Sequence, residues 1–344
     1  MSAFPEPTLH VVLTCTKRKR KSAPDTLQLR NYRTPSLEAR LDAWLEAVDS
    51  AADPASSVSV EDLYAGDHWQ IGRSLPALAR AQGVVARLWV CSAGYGLIPL
   101  EAPILPYSAT FSRGHKDSVW RAGEGVPASQ AVRRWWNGLS TWRGPSPGEP
   151  RTLLALAAQD PGASIWVVAS PTYLTAMRSD LVAAIQVLER RDSLALISAG
   201  TRRLEGLEEN LLRFDWRVQG SSGLLRGAAM SLNVRMAQLL LEDQWEPSIV
   251  TLNRRVQPMI QSIPPRKPKI GQRVPSEQVE EYVRRELALN PAARATPLLR
   301  KLRDELRWAF EEKRFRRLVD DVRSEFPEAP SSGSKGAGTS RDLE

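Results

Sequence analysis

Four short apolar runs, each released into small polar residues, constrain this chain more than any other feature. Val11-Val12-Leu13 passes into Thr14-Cys15-Thr16, and Ala86 to Val90 ends in Cys91-Ser92-Ala93-Gly94-Tyr95-Gly96-Leu97. Ile165 to Ala169 is followed by Ser170-Pro171-Thr172-Tyr173, and Leu194 to Ile197 by Ser198-Ala199-Gly200-Thr201. Runs of this length, bounded by turn residues and spaced by helical patterns, are buried strands of a parallel sheet covered on both faces. Parallel strands put all four polar turns at one edge, the edge at which open α/β sheets bind ligands, and right-handed crossovers leave few other arrangements. The expected fold class is therefore α/β, a mostly parallel central sheet flanked by helices, followed by a small basic α-helical region.

The intervening helices are legible from their period. Ser36 to Val48 places Leu37, Leu41, Trp44, Leu45 and Val48 on one stripe with Ser36 as its cap, and a second helix runs from His68 to Gln82. Val132 to Trp142 holds three tryptophans suited to packing, Gly144 to Arg151 is a connector, and Thr152 to Gln159 is a further helix. Ser222 to Glu242 begins with glycines and becomes an amphipathic helix.

Beyond Trp245 the composition changes. Residues 1–245 are read as the α/β domain, 246–275 as a stiff linker containing Pro264-Pro265-Arg266-Lys267-Pro268-Lys269, 276–326 as a basic helical region, and 327–344 as a disordered tail. The helical region comprises Ser276 to Leu289, Pro297 to Leu306 and Arg307 to Glu325, with apolar stripes separated by Arg and Lys. From Arg254 to Glu325 there are 18 Lys or Arg against 11 Asp or Glu, nearly the whole excess of a chain whose formal charge is +8. Such asymmetry points to a polyanion, with double-stranded DNA as the expected partner and a solvated helical cap as the alternative.

Other classes are disfavoured. Two cysteines and three histidines supply neither a Cys-x-x-Cys zinc site nor a secreted disulfide framework, so no metal or cofactor is expected. No window approaches the ~20 apolar residues of a membrane span, and the expectation is a monomer in the cytoplasm with no membrane partner.

The polar turns supply the candidate site. After the first strand come five consecutive cations, Lys17, Arg18, Lys19, Arg20 and Lys21; these are either phosphate contacts or a solvated loop. Two carboxylates, Asp62 and Asp67, precede the second helix, and Asp67 could instead cap that helix. Tyr64 and Tyr107 could stack on a base and donate hydrogen bonds, and Asn233 could read a base edge. Cys15 is read as a small packing residue, because no base adjoins it in the sequence.

Four motifs in order, Cys15-Thr16-Lys17-Arg18-Lys19, Asp62-Leu63-Tyr64, Ser92-Ala93-Gly94-Tyr95-Gly96-Leu97 and Pro106-Tyr107, resemble a bacterial α/β family over about residues 8 to 120. That domain is similar to those found with deazaguanine and archaeosine enzymes, whose fold is similar to uracil-DNA glycosylase. Arg226-Gly227, Ser231-Leu232-Asn233 with Arg235, Leu298 to Asp304 and Glu312 to Phe315 resemble a subset with a basic tail that looks like anti-phage DNA glycosylases. The resemblance implies excision of glucosylated, hydroxymethylated cytosine from viral DNA, leaving an abasic site. The water-activating Gly-Gln-Asp-Pro-Tyr motif of uracil-DNA glycosylases is not present as such; Gln159-Asp160-Pro161 is a late fragment of it without the tyrosine.

Hydrolysis of an N-glycosidic bond passes through an oxocarbenium-like sugar and needs an anion beside it and donors for the leaving base. No catalytic assignment carries over from uracil-DNA glycosylases; these requirements and the residues' places in the sequence, Asp62 where a strand opens towards the cleft, give Asp62, Asn233 and Asp67 as catalytic candidates. Substrate contacts are expected from Cys15, Thr16, Lys17, Tyr64, Ser92, Gly94, Tyr95, Tyr107, Ser231 and Arg235. DNA contacts are expected from Arg18, Lys19, Arg20, Lys21, Arg226, Arg300, Arg303, Lys313, Arg314 and Arg317. The alternatives are a DNA-binding protein without catalysis and a nucleoside or deazaguanine-type base-exchange enzyme.

Overall fold

The computed structural model of the protein describes residues 6–53, 55–201, 203–223, 225–264 and 271–325. The chain forms two compact units, Met1–Pro265 and Arg266–Glu344. The first runs through β1 (Thr8–Thr14), α1 (Leu37–Ser50), β2 (Val58–Ser59), α2 (Val60–Leu63), α3 (Asp67–Ala81), β3 (Val85–Ser92), β4 (Gly96–Pro99) and β5 (Pro103–Ile104). It continues with α4 (Ala128–Thr141), α5 (Leu153–Gln159), β6 (Ser164–Val168), α6 (Pro171–Val187), β7 (Leu194–Ile197), α7 (Leu232–Asp243) and α8 (Ile249–Ser262).

The sheet has the order β4-β3-β1-β6-β7, in which β3, β1, β6 and β7 are parallel. These are the four strands expected from the apolar runs. The fifth strand, β4, lies within a segment read as a turn: Cys91 pairs with Leu97 and Ser92 with Gly96 in an antiparallel hairpin. Gly96 turns the corner at φ +74°, a conformation that costs glycine little because it has no Cβ.

Helices cover both faces, as all-apolar strands require. The side chain of Leu13 lies where a Cβ on Gly72 of α3 would be, 2.2 Å from its Cδ1, so this glycine lets α3 lie close on β1. Cys91 pairs with Thr14, one residue on from Leu13, and therefore points to the opposite face. There its thiol meets the Met177 sulfur of α6 at 3.1 Å. α7 packs on α3, while α4 and α5 pack on α6. α1 is capped as expected, with Ser36 Oγ accepting from the Ala39 amide at 3.1 Å.

The stretch 246–275 is not all linker. α8 occupies Ile249–Ser262 and buries Ile249, Leu252, Val256 and Ile260 in the first core, spaced at helical period. Residues 265–270 and the expected disordered tail 327–344 lie outside the described residues.

The second unit contains β8 (Gln272–Arg273), α9 (Ser276–Leu289), α10 (Ala295–Asp304), β9 (Trp308–Ala309) and α11 (Glu312–Ser324), with β8 parallel to β9. Its core joins Val279, Tyr282, Val283 and Leu287 with Leu298, Leu299, Leu302, Phe315, Val319 and Val322. The last helix starts later than expected because Trp308-Ala309 is used as a strand. Glu311 then caps it, accepting the Lys313 and Arg314 amides at 2.9 Å each. Among the described residues no helix is long and apolar enough to cross a membrane.

Candidate functional site

From β1 the chain crosses to β3 on one side, whereas β6 and β7 extend the sheet on the other, so the direction of winding reverses between β1 and β6. At such a reversal the two carboxyl ends part and leave a crevice. Cys15 follows β1 and Tyr173 lies in the first turn of α6, just after β6; their Sγ and Oη atoms are 3.1 Å apart, in contact between the two strand ends. The Tyr173 ring packs against Phe111 at 4.8 Å between centroids. Asn233 of α7 closes the neighbouring gap: its Nδ2 donates to the Ala169 carbonyl at 2.9 Å, and its Oδ1 accepts the Ala199 amide at 2.8 Å. Both ends of the amide thus tie the exits of β6 and β7 together.

The motifs after β1 and before α3 meet through backbone. The Arg20 amide donates to the Leu63 carbonyl at 2.8 Å and the Ala65 amide to the Arg18 carbonyl at 3.0 Å, giving an antiparallel bridge of Lys19 with Tyr64. Beneath that bridge runs a chain of hydroxyls. Tyr64 Oη lies 2.8 Å from Tyr107 Oη, which lies 2.7 Å from Ser92 Oγ. Ser92 Oγ also accepts the Gly94 and Tyr95 amides at 3.1 and 3.0 Å, closing the β3–β4 turn. A Cβ on Gly94 would lie 2.5 Å from Tyr107 Cδ2, so the glycine is what admits the ring.

Tyr64, Tyr95 and Tyr107 are at most 1% exposed, which corrects the expectation that Tyr64 and Tyr107 offer faces to a base. They instead aim Lys19. Its ammonium lies 4.2 Å from the Tyr107 ring centroid and 5.6 Å from that of Tyr64, and it donates to the Thr16 carbonyl at 3.4 Å. Burial lowers the Lys19 pKa from its ordinary value, against the opposing pull of Cys15 and Asp117.

Asp117 is itself fully buried. Arg30 grips it with Nε and Nη2, both at 2.8 Å, while Ser108 Oγ donates at 2.8 Å. Burial would raise its pKa, but these donors outweigh burial and hold the carboxyl below its ordinary value.

Asp67 is the first residue of α3 rather than its cap, a place occupied by Gly66. Arg235 Nη2 bonds both its oxygens, at 2.7 and 2.8 Å. Burial opposes ionisation of Asp67, yet hydrogen bonds from Ser231 and Arg235 prevail and lower its pKa, and its side chain keeps 43% exposure. The carboxylate is ionised and accessible. Gly227 explains the Arg226-Gly227 pair, since its Cβ would fall 2.6 Å from Arg235 Nη2 while Arg226 is exposed. His68, beside Asp67, has its pKa lowered to about 4, first by burial and against a hydrogen bond to the Thr14 backbone. Its Nε2 is buried without a hydrogen-bond partner among the described residues.

Asp62 sits apart from this group. It completes the capping of α2, where Ser59 Oγ accepts its amide and donates to its carboxylate, and its side chain is 69% exposed, 4.0 Å from Arg20. Lys17, Arg18, Arg20 and Lys21 are exposed on the loop, and Thr16 Oγ1 donates to the Arg18 carbonyl at 2.8 Å.

In the second unit Arg300, Lys313 and Arg317 are exposed and form no ion pair among the described residues. Arg303 donates to the Phe310 carbonyl at 2.8 Å, and Arg314 bonds Ser276 and lies over the Phe310 ring. Sequence reasoning passed over Tyr173, Phe111, His68 and the Arg30–Asp117 pair. The available signal for Tyr173 was its place after β6, equivalent to that of the Cys15 segment after β1. Among the described residues no cluster of three or more His, Cys, Asp or Glu side chains is arranged to hold a metal. No protein-family model matches the chain, and no curated protein matches it.

Proposed function

We propose that this chain is a DNA glycosylase on a uracil-DNA-glycosylase-like α/β fold, extruding a modified base from duplex DNA and hydrolysing its glycosidic bond. The observation that carries the reading is the convergence of four separate motifs: Cys15–Lys19 is bridged to Leu63–Ala65, and Tyr64, Tyr107 and Ser92 form one hydroxyl chain beneath. A crevice at the winding reversal, walled by a half-buried ammonium, a thiol and a phenol, offers donors to a leaving base in a site of reduced dielectric. Asp67 supports the reading as the carboxylate for the oxocarbenium-like sugar, because Arg235 and Ser231 hold it ionised with part of its surface open, whereas Asp62 is engaged by Ser59, the cap of α2. Cys15, Thr16 and Lys17 face the sugar or base, and Arg235 with Ser231 positions Asp67. With Lys19 turned inward over Tyr107, the exposed Arg18, Arg20 and Lys21 receive phosphates at the mouth, while Arg300, Lys313 and Arg317 of the second unit bind the duplex.

By its resemblance the substrate is glucosylated hydroxymethyl-cytosine in phage DNA, and the role is antiviral defence in the cytoplasm. The test is incubation of the purified chain with glucosylated phage DNA and with unmodified DNA, followed by alkali. Strand breaks confined to the glucosylated DNA are expected; breaks in neither, or equally in both, refute the proposal. The exposed cations of the self-cored second unit favour one rival, a DNA-binding protein without catalysis. For that rival Asp67→Asn leaves every phenotype intact, whereas for a glycosylase it abolishes excision and spares binding.

A further inference from the structure

The carboxyl end of β7 opens on a second concavity that base excision as described does not use. Its volume is about 550 Å³, and Arg203, Glu208, Arg213, Asp215 and Arg217 are among its lining residues. The segment Leu211 to Phe214 builds its wall by running alongside β7: the Leu212 amide donates to the Leu196 carbonyl and the Gly200 amide to the Phe214 carbonyl, each at 3.0 Å. α8 clamps this segment at Arg213, whose amide donates to Asn253 Oδ1 at 2.7 Å and whose carbonyl accepts Gln257 Nε2 at 3.3 Å. The Arg213 guanidinium is therefore carried on a fixed backbone.

The charges are not balanced locally. Arg217 is neutralised by Asp215 at 2.9 Å, and the Glu208 carboxylate accepts the Leu207 amide at 3.2 Å. Arg203 and Arg213 are exposed, and among the described residues neither makes an ion pair. Three guanidiniums against the carboxylates of Glu208 and Asp215 leave the lining net cationic, and the two arginines outside any described ion pair favour an anion with several oxygens, the planar fork matching a phosphodiester. Beside them Trp216 keeps 43% exposure, unusual for the largest aromatic side chain. Its Nε1 lies 3.2 Å from the position a Cβ on Gly200 would take, and Gly200 lines the concavity, so the indole packs against one of its lining residues. An open indole next to phosphate-binding arginines is the pairing that binds single strands, in which bases stack and the backbone tracks cations.

We propose that this concavity binds a single DNA strand, Arg203 and Arg213 holding phosphates and Trp216 stacking on a base. Gly200 directly follows Ala199, whose amide Asn233 holds, so this concavity adjoins the tie between the ends of β6 and β7. The binding claim does not depend on excision, and unmodified DNA is its probe.

The experiment measures anisotropy of a labelled oligonucleotide of about twelve thymidines, within single-strand site sizes, against the full chain over a range of salt. In the Arg203→Gln/Arg213→Gln variant the log–log salt slope falls by about 1.4, each strand phosphate contributing about 0.7. The Arg203→Lys/Arg213→Lys variant restores most of that slope, and Trp216→Ala weakens binding roughly tenfold at unchanged slope. An unchanged slope in the double Gln variant, or displacement of the oligonucleotide by dTMP at equal molar concentration, overturns the proposal. Failure of the alkali assay with these binding results intact overturns the excision reading alone.

Discussion

Ser92→Ala removes one oxygen and is expected to destabilise the first unit by about 3 kcal/mol. Ser92 Oγ serves three partners in a fully buried place: the Gly94 and Tyr95 amides and the Tyr107 hydroxyl. Tyr107 retains Tyr64 at 2.8 Å after the change, so its hydroxyl stays satisfied. The two amides do not, because the β3–β4 turn holds them beneath the Tyr107 ring. A buried donor left unpaired costs roughly 1–3 kcal/mol, and relaxation of a tight turn recovers part of the second penalty. Chemical denaturation of wild type and variant at equal m-value measures the difference, since a changed midpoint at constant slope is a change in stability. Ser92→Thr keeps the hydroxyl and adds a methyl, which separates loss of the acceptor from disturbance of packing. A loss below about 0.5 kcal/mol for Ser92→Ala would refute the claim that this oxygen closes the turn, since that is the scatter of ordinary surface substitutions.

Further outcomes follow from the same geometry. Gly94→Ala puts a Cβ 2.5 Å from the Tyr107 ring and should cost about 1–3 kcal/mol by overpacking, with loss of any Lys19-dependent activity because the ring that aims the ammonium moves. Asn233→Ala leaves the Ala169 carbonyl and Ala199 amide without their shared partner, and a loss of about 2 kcal/mol in a denaturant titration is expected. Asp67→Asn should abolish excision in the alkali assay while Asp62→Asn leaves it within about twofold, because an exposed capping carboxylate acts only on stability. For pH, the folded-state pKa of His68, about 4, lies below its ordinary value of 6.5. The unfolded chain then binds the proton first, so this contribution is complete above about pH 6.5 and is lost as pH falls towards 4. About 2 kcal/mol should disappear by about pH 5, and His68→Asn should remove that part of the pH dependence.

The sheet was legible because its signal is local: an apolar run and the polar turn that follows it are contiguous, and burial on both faces leaves no alternation to confuse with a helix. β4 was hidden for the opposite reason. It is four residues long and begins at Gly96, and its strand character comes from pairing with Cys91 and Ser92. Glycines at the end of an apolar run suggest a turn, and here the turn and the returning strand share them. α8 was hidden by composition. Pro258 lies inside it and the basic Pro-rich segment follows directly, so propensity argued for a linker while the period of Ile249, Leu252, Val256 and Ile260 argued for a packed helix. The buried contacts decided in favour of the period.

The site divides along the same line. Residue types that carry chemistry could be picked out one by one, but the sequence holds no information on which oxygen is already in use. Asn233 has the composition of a base reader, and the structure gives both ends of its amide to backbone. Tyr64 and Tyr107 have the composition of stacking platforms, and burial closes both faces and turns them into supports for Lys19. Asp62 and Asp67 differ by five positions, and the sequence placed Asp62 at the cleft and offered Asp67 as a helix cap; in the structure Asp62 bonds Ser59, the cap of α2, in solvent, and Asp67 is held ionised by Arg235, 168 residues away. That separation is the physical limit, because a carboxylate's usefulness depends on partners brought by the fold. The convergence of the Cys15–Lys19, Asp62–Tyr64, Ser92–Leu97 and Pro106-Tyr107 motifs is informative for the converse reason. Four segments spread over about ninety residues had no local cause to meet, and their meeting beyond the carboxyl ends of β1 and β3, with Tyr173 reaching Cys15 from the β6 side, makes Lys19, Cys15 and Tyr173 the residues to change first in testing the proposed site.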